Sequence, residues 1–261
     1  MINSRNMPGA HAIILLLCLS LTACAGTQNR HTDPENDPWE GFNRKIFAFN
    51  MTLDKYLLRP VAVGYDRVMP DSAQRGISNF FKNLNFPVVF LNQLLQGTFH
   101  EAGDSTGRFL VNSTVGLLGF IDVASKAGLP EYDEDFGQTL AAWGWEESRY
   151  LVVPVFGPLT VRDTLGRSTY GLYHPVSYVA REESIYWPIV TDIIQTRAKY
   201  LEQDEAILQS YDPYVMVRDT WLQNREYRIY DGDPPMLDYD AFLDDLDAEE
   251  EQPSLHSACE V

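Results

Sequence analysis

Three cysteines in 261 residues leave no means of stapling a core: Cys18 and Cys24 sit near the N-terminus and Cys259 near the end. An exported chain can form disulfides, but this one must be held by packing. Long apolar runs are also missing, and nothing reaches the about 20 residues that cross a bilayer as a helix. Five histidines are scattered, with no His-x-x-x-His pair and no neighbouring cysteine cluster. Metal catalysis is therefore unsupported, and no metal site is expected. Basic residues are scarce, 20 Lys and Arg against 37 Asp and Glu, for a net charge of −17. That balance excludes nucleic acid as a partner, because phosphate contacts need clustered cations. From Asp231 onward there are 11 acidic residues and no Lys or Arg. Residues 231–261 read as an acidic, disordered tail.

What is present begins with an export signal. Arg5 precedes Ala12 to Leu21, a stretch apolar except for Ser20. It has the length of a signal-peptide core rather than of a span. Leu21-Thr22-Ala23-Cys24 follows and resembles a lipobox. The thiol of Cys24 would receive a diacylglyceryl group, and small residues before it let the chain lie extended in the peptidase. Residues 1–23 are then the signal peptide, with Cys24 the lipidation site and 24–36 a polar spacer. Each buried acyl methylene contributes about 0.8 kcal/mol, so several chains anchor stably. Ala25 stands where an aspartate would favour inner-membrane retention, so the expected address is the outer membrane, periplasmic side.

Beyond the spacer, Asp37 reads as a helix cap with Pro38 at the first helical position. Phe42, Ile46, Phe49 and Leu53 recur at three- and four-residue steps and form the candidate membrane-facing stripe. That helix is expected to end before Arg59-Pro60. Another, starting at Asp71 or Ser72, is expected to break at Pro87, with a second piece from Val88 to Gln96 stopped by Gly97. Tyr150 to Phe156 is the strand or hairpin candidate, since Pro154 forbids a central strand. Gln138–Trp143, Val161–Tyr173, Pro188–Leu208 and a helix capped by Asp212-Pro213 complete the pattern. The expected fold is mostly α, built of short amphipathic helices with at most a small hairpin.

Gly103-x-x-x-Gly107 permits close helix contact. The same stretch, Gly103-Asp104-Ser105-Thr106-Gly107, fits a nucleophile elbow and offers the rival reading of a lipoprotein phospholipase, Ser105 attacking with His174 as base. The elbow needs an apolar strand directly before it. Thr98-Phe99-His100-Glu101-Ala102 is not one, and the alternation of a hydrolase is missing, so a non-enzyme is favoured.

Asp37-Pro38-Trp39-Glu40-Gly41-Phe42-Asn43-Arg44 resembles the opening of the MlaA (VacJ) family of outer-membrane lipoproteins. The likeness continues in order through Arg59-Pro60, Gly76-Ile77-Ser78-Asn79-Phe80, Arg108-Phe109 with Asn112, and Gly119-Phe120-Ile121-Asp122-Val123-Ala124. Phe136-Gly137-Gln138-Thr139-Leu140, Arg162-Asp163 and Asp212 to Asp219 follow, so residues 37–230 are the matching domain. The resemblance implies a ring of amphipathic helices in one membrane leaflet, with a polar-lined opening for phospholipid. It also implies a trimeric porin beside the ring, a soluble periplasmic carrier as acceptor, and neither catalytic residues nor a cofactor. Trp145-Glu146-Glu147-Ser148-Arg149 departs from the glycine-rich turn common there.

Overall fold

The computed structural model describes residues 36–173 and 186–235. Cys24, most of the spacer, His174 and the tail beyond residue 235 lie outside them. The chain divides into two compact units at Leu222 and Gln223.

Helix α1 spans Glu40–Leu53, and its N-cap is Trp39 without a side-chain cap bond. Asp37 is therefore not the expected cap. Its buried carboxylate instead accepts from Asn43 Nδ2 at 2.7 Å and from the Tyr214 hydroxyl. Nor does the chain leave the helix before Arg59-Pro60. A π-turn at Asp54–Leu58 carries it into α2, Arg59–Val68. Arg59 N–H reaches five residues back to Asp54 O. The widened turn accommodates a proline that has no N–H to donate and a ring that would clash with a normal turn.

Helix α3 runs unbroken from Asp71 to Gln96 with Pro87 inside it. The expected break is absent because tertiary packing outweighs one missing backbone bond. Phe86 of α3 stacks on Phe109 of α4, Phe99–Thr114, with centroids 4.4 Å apart and planes at 12°, while Val88 and Val89 are buried. Gly97 does end α3, at a φ of 84° that glycine adopts without strain.

The Gly103/Gly107 pair makes no close helix contact. A Cβ on Gly103 would meet nothing, and one on Gly107 only a leucine side chain. The close approach lies between α6, Phe136–Ala142, and α7, Val161–Tyr173. There a Cβ on Gly166 would sit 2.7 Å from Gly137 N. Between α4 and α6 lies α5, a single turn at Val123–Lys126.

Strands β1, Tyr150–Val153, and β2, Gly157–Thr160, pair antiparallel, with Pro154 in the turn between them. A two-stranded ribbon exposes unpaired edges. Here α1 covers one edge with amide side chains. Asn43 donates to Tyr150 O at 3.2 Å and accepts from Val152 N–H at 2.9 Å. Asn50, two turns later, donates to Val153 O at 3.0 Å and accepts from Val155 N–H at 2.8 Å. Ile46, between them, enters the core with Tyr150, Val152 and Tyr214.

Helix α8 spans Tyr186–Lys199, and a 3₁₀ turn at Leu201–Gln203 separates it from α9, Asp204–Gln209. The single helix expected from Pro188 to Leu208 is thus divided. Arg197 bridges the break, binding Asp54 of the π-turn at 2.6 and 2.9 Å and Asp204 at 2.7 Å. Helix α10, Pro213–Ile229, starts as expected at Asp212, whose carboxylate accepts from Tyr214 N–H at 3.0 Å and clasps Arg44. Among the described residues no helix is long and apolar enough to cross a membrane.

Candidate functional site

The end of α4 turns through Val115 to Ile121 before α5, and this turn is built against backbone preference. Leu117 and Leu118 both take positive φ, 53° and 59°. Left-handed backbone costs a residue with a Cβ roughly 1–2 kcal/mol. Their side chains are nevertheless 64 % and 66 % exposed, and Val115, Phe120 and Ile121 are exposed with them.

Two asparagines hold the strained turn. Asn83 of α3 donates to Ser113 Oγ at 2.9 Å and to Leu118 O at 3.3 Å. Asn112 of α4 accepts from Val123 N–H and Ala124 N–H, both at 2.9 Å, and donates to Asp122 at 3.1 Å. Asp122 caps α5 through Ser125 N–H at 3.0 Å and pairs with Arg108 at 3.1 Å. Burial pushes the Asp122 carboxyl up, but hydrogen bonds from Ser125 and Asn112 and the Arg108 charge outweigh it and hold it at about 2.

Beneath this assembly, α3, α4 and the segment before α6 line an open cavity of about 250 Å³. Phe86, Phe109 and Val89 give it apolar wall, while Lys82, Arg108, Glu131 and Asp133 supply charge of both signs. Lys82 Nζ lies 2.5 Å from Glu131, and Arg108 lies 3.6 Å from the same carboxylate. Lys82 and Glu131 carry no motif in the sequence; only the fold brings them together.

Ser105 also borders this cavity, but it lies inside α4 with no strand before it. Its surroundings are helical, so the chain forms no nucleophile elbow there. His100 pairs with Asp104 at 3.4 Å, and His174 lies outside the described residues.

The distribution of polarity is inverted relative to an ordinary globule. Among the described residues of the first unit twelve hydrophobic residues are buried, five of them alanines, while fifteen polar or charged residues are buried and twenty-eight large hydrophobics are exposed. Scattered apolar exposure is normal, but this quantity is not. The candidate stripe of α1 divides accordingly. Phe42 and Phe49 are exposed and Leu53 is half-buried. Ile46, at 4 % exposure, is turned into the core, which removes it from any outward face. Helical spacing placed all four on one side, but the hairpin covers one edge of that stripe.

A family profile described as MlaA lipoprotein matches residues 35–228. This chain belongs to the MlaA lipoprotein family. Among its relatives, the intermembrane phospholipid transport system lipoprotein MlaA of Escherichia coli (strain K12) is 36% identical over 225 residues, covering 83% of this chain and 88% of the relative. The protein of the same description from Haemophilus influenzae is 32% identical over 227 residues, covering 84% and 89%. A solved structure described as a structural basis for maintenance of bacterial outer membrane lipid asymmetry superposes with a TM-score of 0.66 at 37% identity. It covers 74% of this chain and 98% of the solved one. The mostly helical fold with one small hairpin is thus the fold of an MlaA lipoprotein.

Proposed function

We propose that this MlaA lipoprotein removes misplaced phospholipids from the outer leaflet of the outer membrane, for return to the inner membrane, and so maintains lipid asymmetry. The observation that carries this reading is the inverted polarity: an exterior rich in large apolar side chains over many buried polar groups, in a chain none of whose described helices is long and apolar enough to span. Such a body is stable when its outside meets acyl chains, and water-soluble packing would leave that surface unpaid. The relatives named for intermembrane phospholipid transport support it.

In this arrangement lipid on Cys24 tethers the chain to the periplasmic side of the outer membrane. Helices form a ring within one leaflet, with Phe42, Phe49 and Leu53 of α1 and the apolar turn at Val115–Ile121 toward lipid. Polar groups inside line the way for a phospholipid headgroup. A trimeric porin stands beside the ring and a soluble periplasmic carrier accepts the lipid. Transport of this kind breaks no covalent bond, so no residue is assigned a catalytic role.

The test measures outer-leaflet phospholipid in cells with and without the protein. Loss should enrich phospholipid there and make cells permeable to SDS with EDTA. In parallel, a non-lipidated version carrying a cleavable secretory signal should still require detergent or bind vesicles. A monomeric, detergent-free domain together with an unchanged outer leaflet would refute the reading.

A further inference from the structure

We propose that the cavity between α3 and α4 is a cradle for a zwitterionic phospholipid headgroup, with Lys82 receiving the phosphate and Glu131 the ammonium. The inference rests on the transport reading and names the chemistry that this site prefers. Drug-sized ligands occupy pockets of roughly 300–1,000 Å³. A cavity of about 250 Å³ admits a headgroup but not a lipid with its acyl chains.

The two charges at its mouth differ from the charge behind them in how firmly they are held. Lys82 and Glu131 are 55 % and 41 % exposed and pair with each other. An ion pair this exposed contributes little, so exchanging each partner for the opposite pole of a zwitterion costs little. Arg108, by contrast, is 12 % exposed and fixed by Leu129 O at 2.6 Å, Ser125 Oγ at 3.1 Å and Asp122. It is a positioning residue: at 3.6 Å it orients Glu131 without being free to leave. The stacked Phe86 and Phe109 rings supply an apolar wall against which the glycerol end of the lipid can rest.

A second ammonium group stands close to Lys82. Lys199 of α8 donates to Ser78 Oγ at 2.7 Å, one turn along α3 from Lys82. Burial, then repulsion from Lys82, lowers its ammonium pKa, and Asp192 and Glu131 offset part of that shift.

The experiment uses the full-length lipidated protein in detergent micelles. Short-chain phosphatidylethanolamine and phosphatidylglycerol are titrated separately, and bound lipid is counted by native mass spectrometry. The wild type should prefer phosphatidylethanolamine about fivefold, equivalent to about 1 kcal/mol. Glu131→Gln should erase that preference without weakening phosphatidylglycerol binding. Lys82→Gln should weaken both lipids about fivefold, and Lys82→Arg and Glu131→Asp, which keep the charges, should retain wild-type behaviour. A preference that survives Glu131→Gln, or a wild type that has none, overturns the cradle. Soluble phosphoethanolamine binding as tightly as the lipid would assign the cavity to a free headgroup and overturn the lipid source. A wild type that takes up no phospholipid at all sinks the transport reading itself, while uptake without preference sinks only the cradle.

Discussion

Two asparagines do the same job at two places, with opposite results. Asn43 pins β1 and the Asp37 carboxylate beneath an apolar core. Asn112 pins the start of α5 and the Asp122 carboxylate beneath a turn whose leucines point outward. In each, one amide satisfies backbone groups that no helix or sheet ladder reaches. Around Asn43 the satisfied backbone lets Ile46, Tyr150 and Tyr214 close into a core. Around Asn112 it holds Leu117 and Leu118 in a left-handed shape that hides nothing. A buried polar bond therefore underlies a closed core at one site and braces an exposed apolar turn at the other.

The largest expected effect is at the core. Asn43→Ala should leave Asp37, Tyr150 O and Val152 N–H buried without that partner and cost on the order of 3 kcal/mol in denaturant unfolding followed by tryptophan fluorescence. Asn112→Ala removes as many bonds, but it should loosen the turn while the hairpin end keeps its transition. Equal, global losses in both variants would erase the distinction between the two sites.

Gly119→Ala should come next. Its φ is 95°, and a Cβ there would lie 2.4 Å from Asn83 Cβ, so the turn must open. The expected cost is about 2–3 kcal/mol, with vesicle binding of the non-lipidated protein lost in step. The double change Leu117→Gly with Leu118→Gly sharpens the contrast. Removing left-handed strain and adding glycine entropy nearly cancel, so stability should stay within about 1 kcal/mol. Vesicle affinity should nevertheless fall, since each leucine transfers with about 1.5–3 kcal/mol. Stability that collapses with affinity unchanged would mean that these leucines serve the fold.

Acid should separate the sites more gently. Asp122 is held at about 2, below its unfolded value of 3.8, so its contribution is present above about pH 4 and is lost as pH falls toward 2. Asp122→Asn should flatten that part of the pH–stability curve, which thermal melts between pH 5 and 2 would record. The smallest effect is expected from Ser105→Ala. It should retain full complementation of SDS–EDTA resistance, because a mid-helix serine without an elbow has no nucleophilic task. Activity falling to that of a null at normal abundance would restore the phospholipase reading.

Much of the helical layout was legible in the chain. Val161–Tyr173 was bounded by periodicity, the hairpin by Pro154 and its valines, the end of α3 by Gly97, and the start of α10 by Asp212-Pro213. These are local signals, written in backbone propensity and capping chemistry, and they need no distant partner. The family followed from motifs in the same way. Prolines misled at Pro60 and Pro87, because a π-turn and a stacked aromatic pair absorb what a local rule counts as a break. Ile46 misled because periodicity states which residues share a side of a helix, not what covers that side. Asp37 was visible as an acid but not as the partner of Tyr214, far along the chain. The cavity charges Lys82 and Glu131, the Gly137–Gly166 crossing and the strained leucines were decided by tertiary structure alone. Each depends on atoms brought together across long stretches of chain, and no spacing in the sequence encodes a distance between helices.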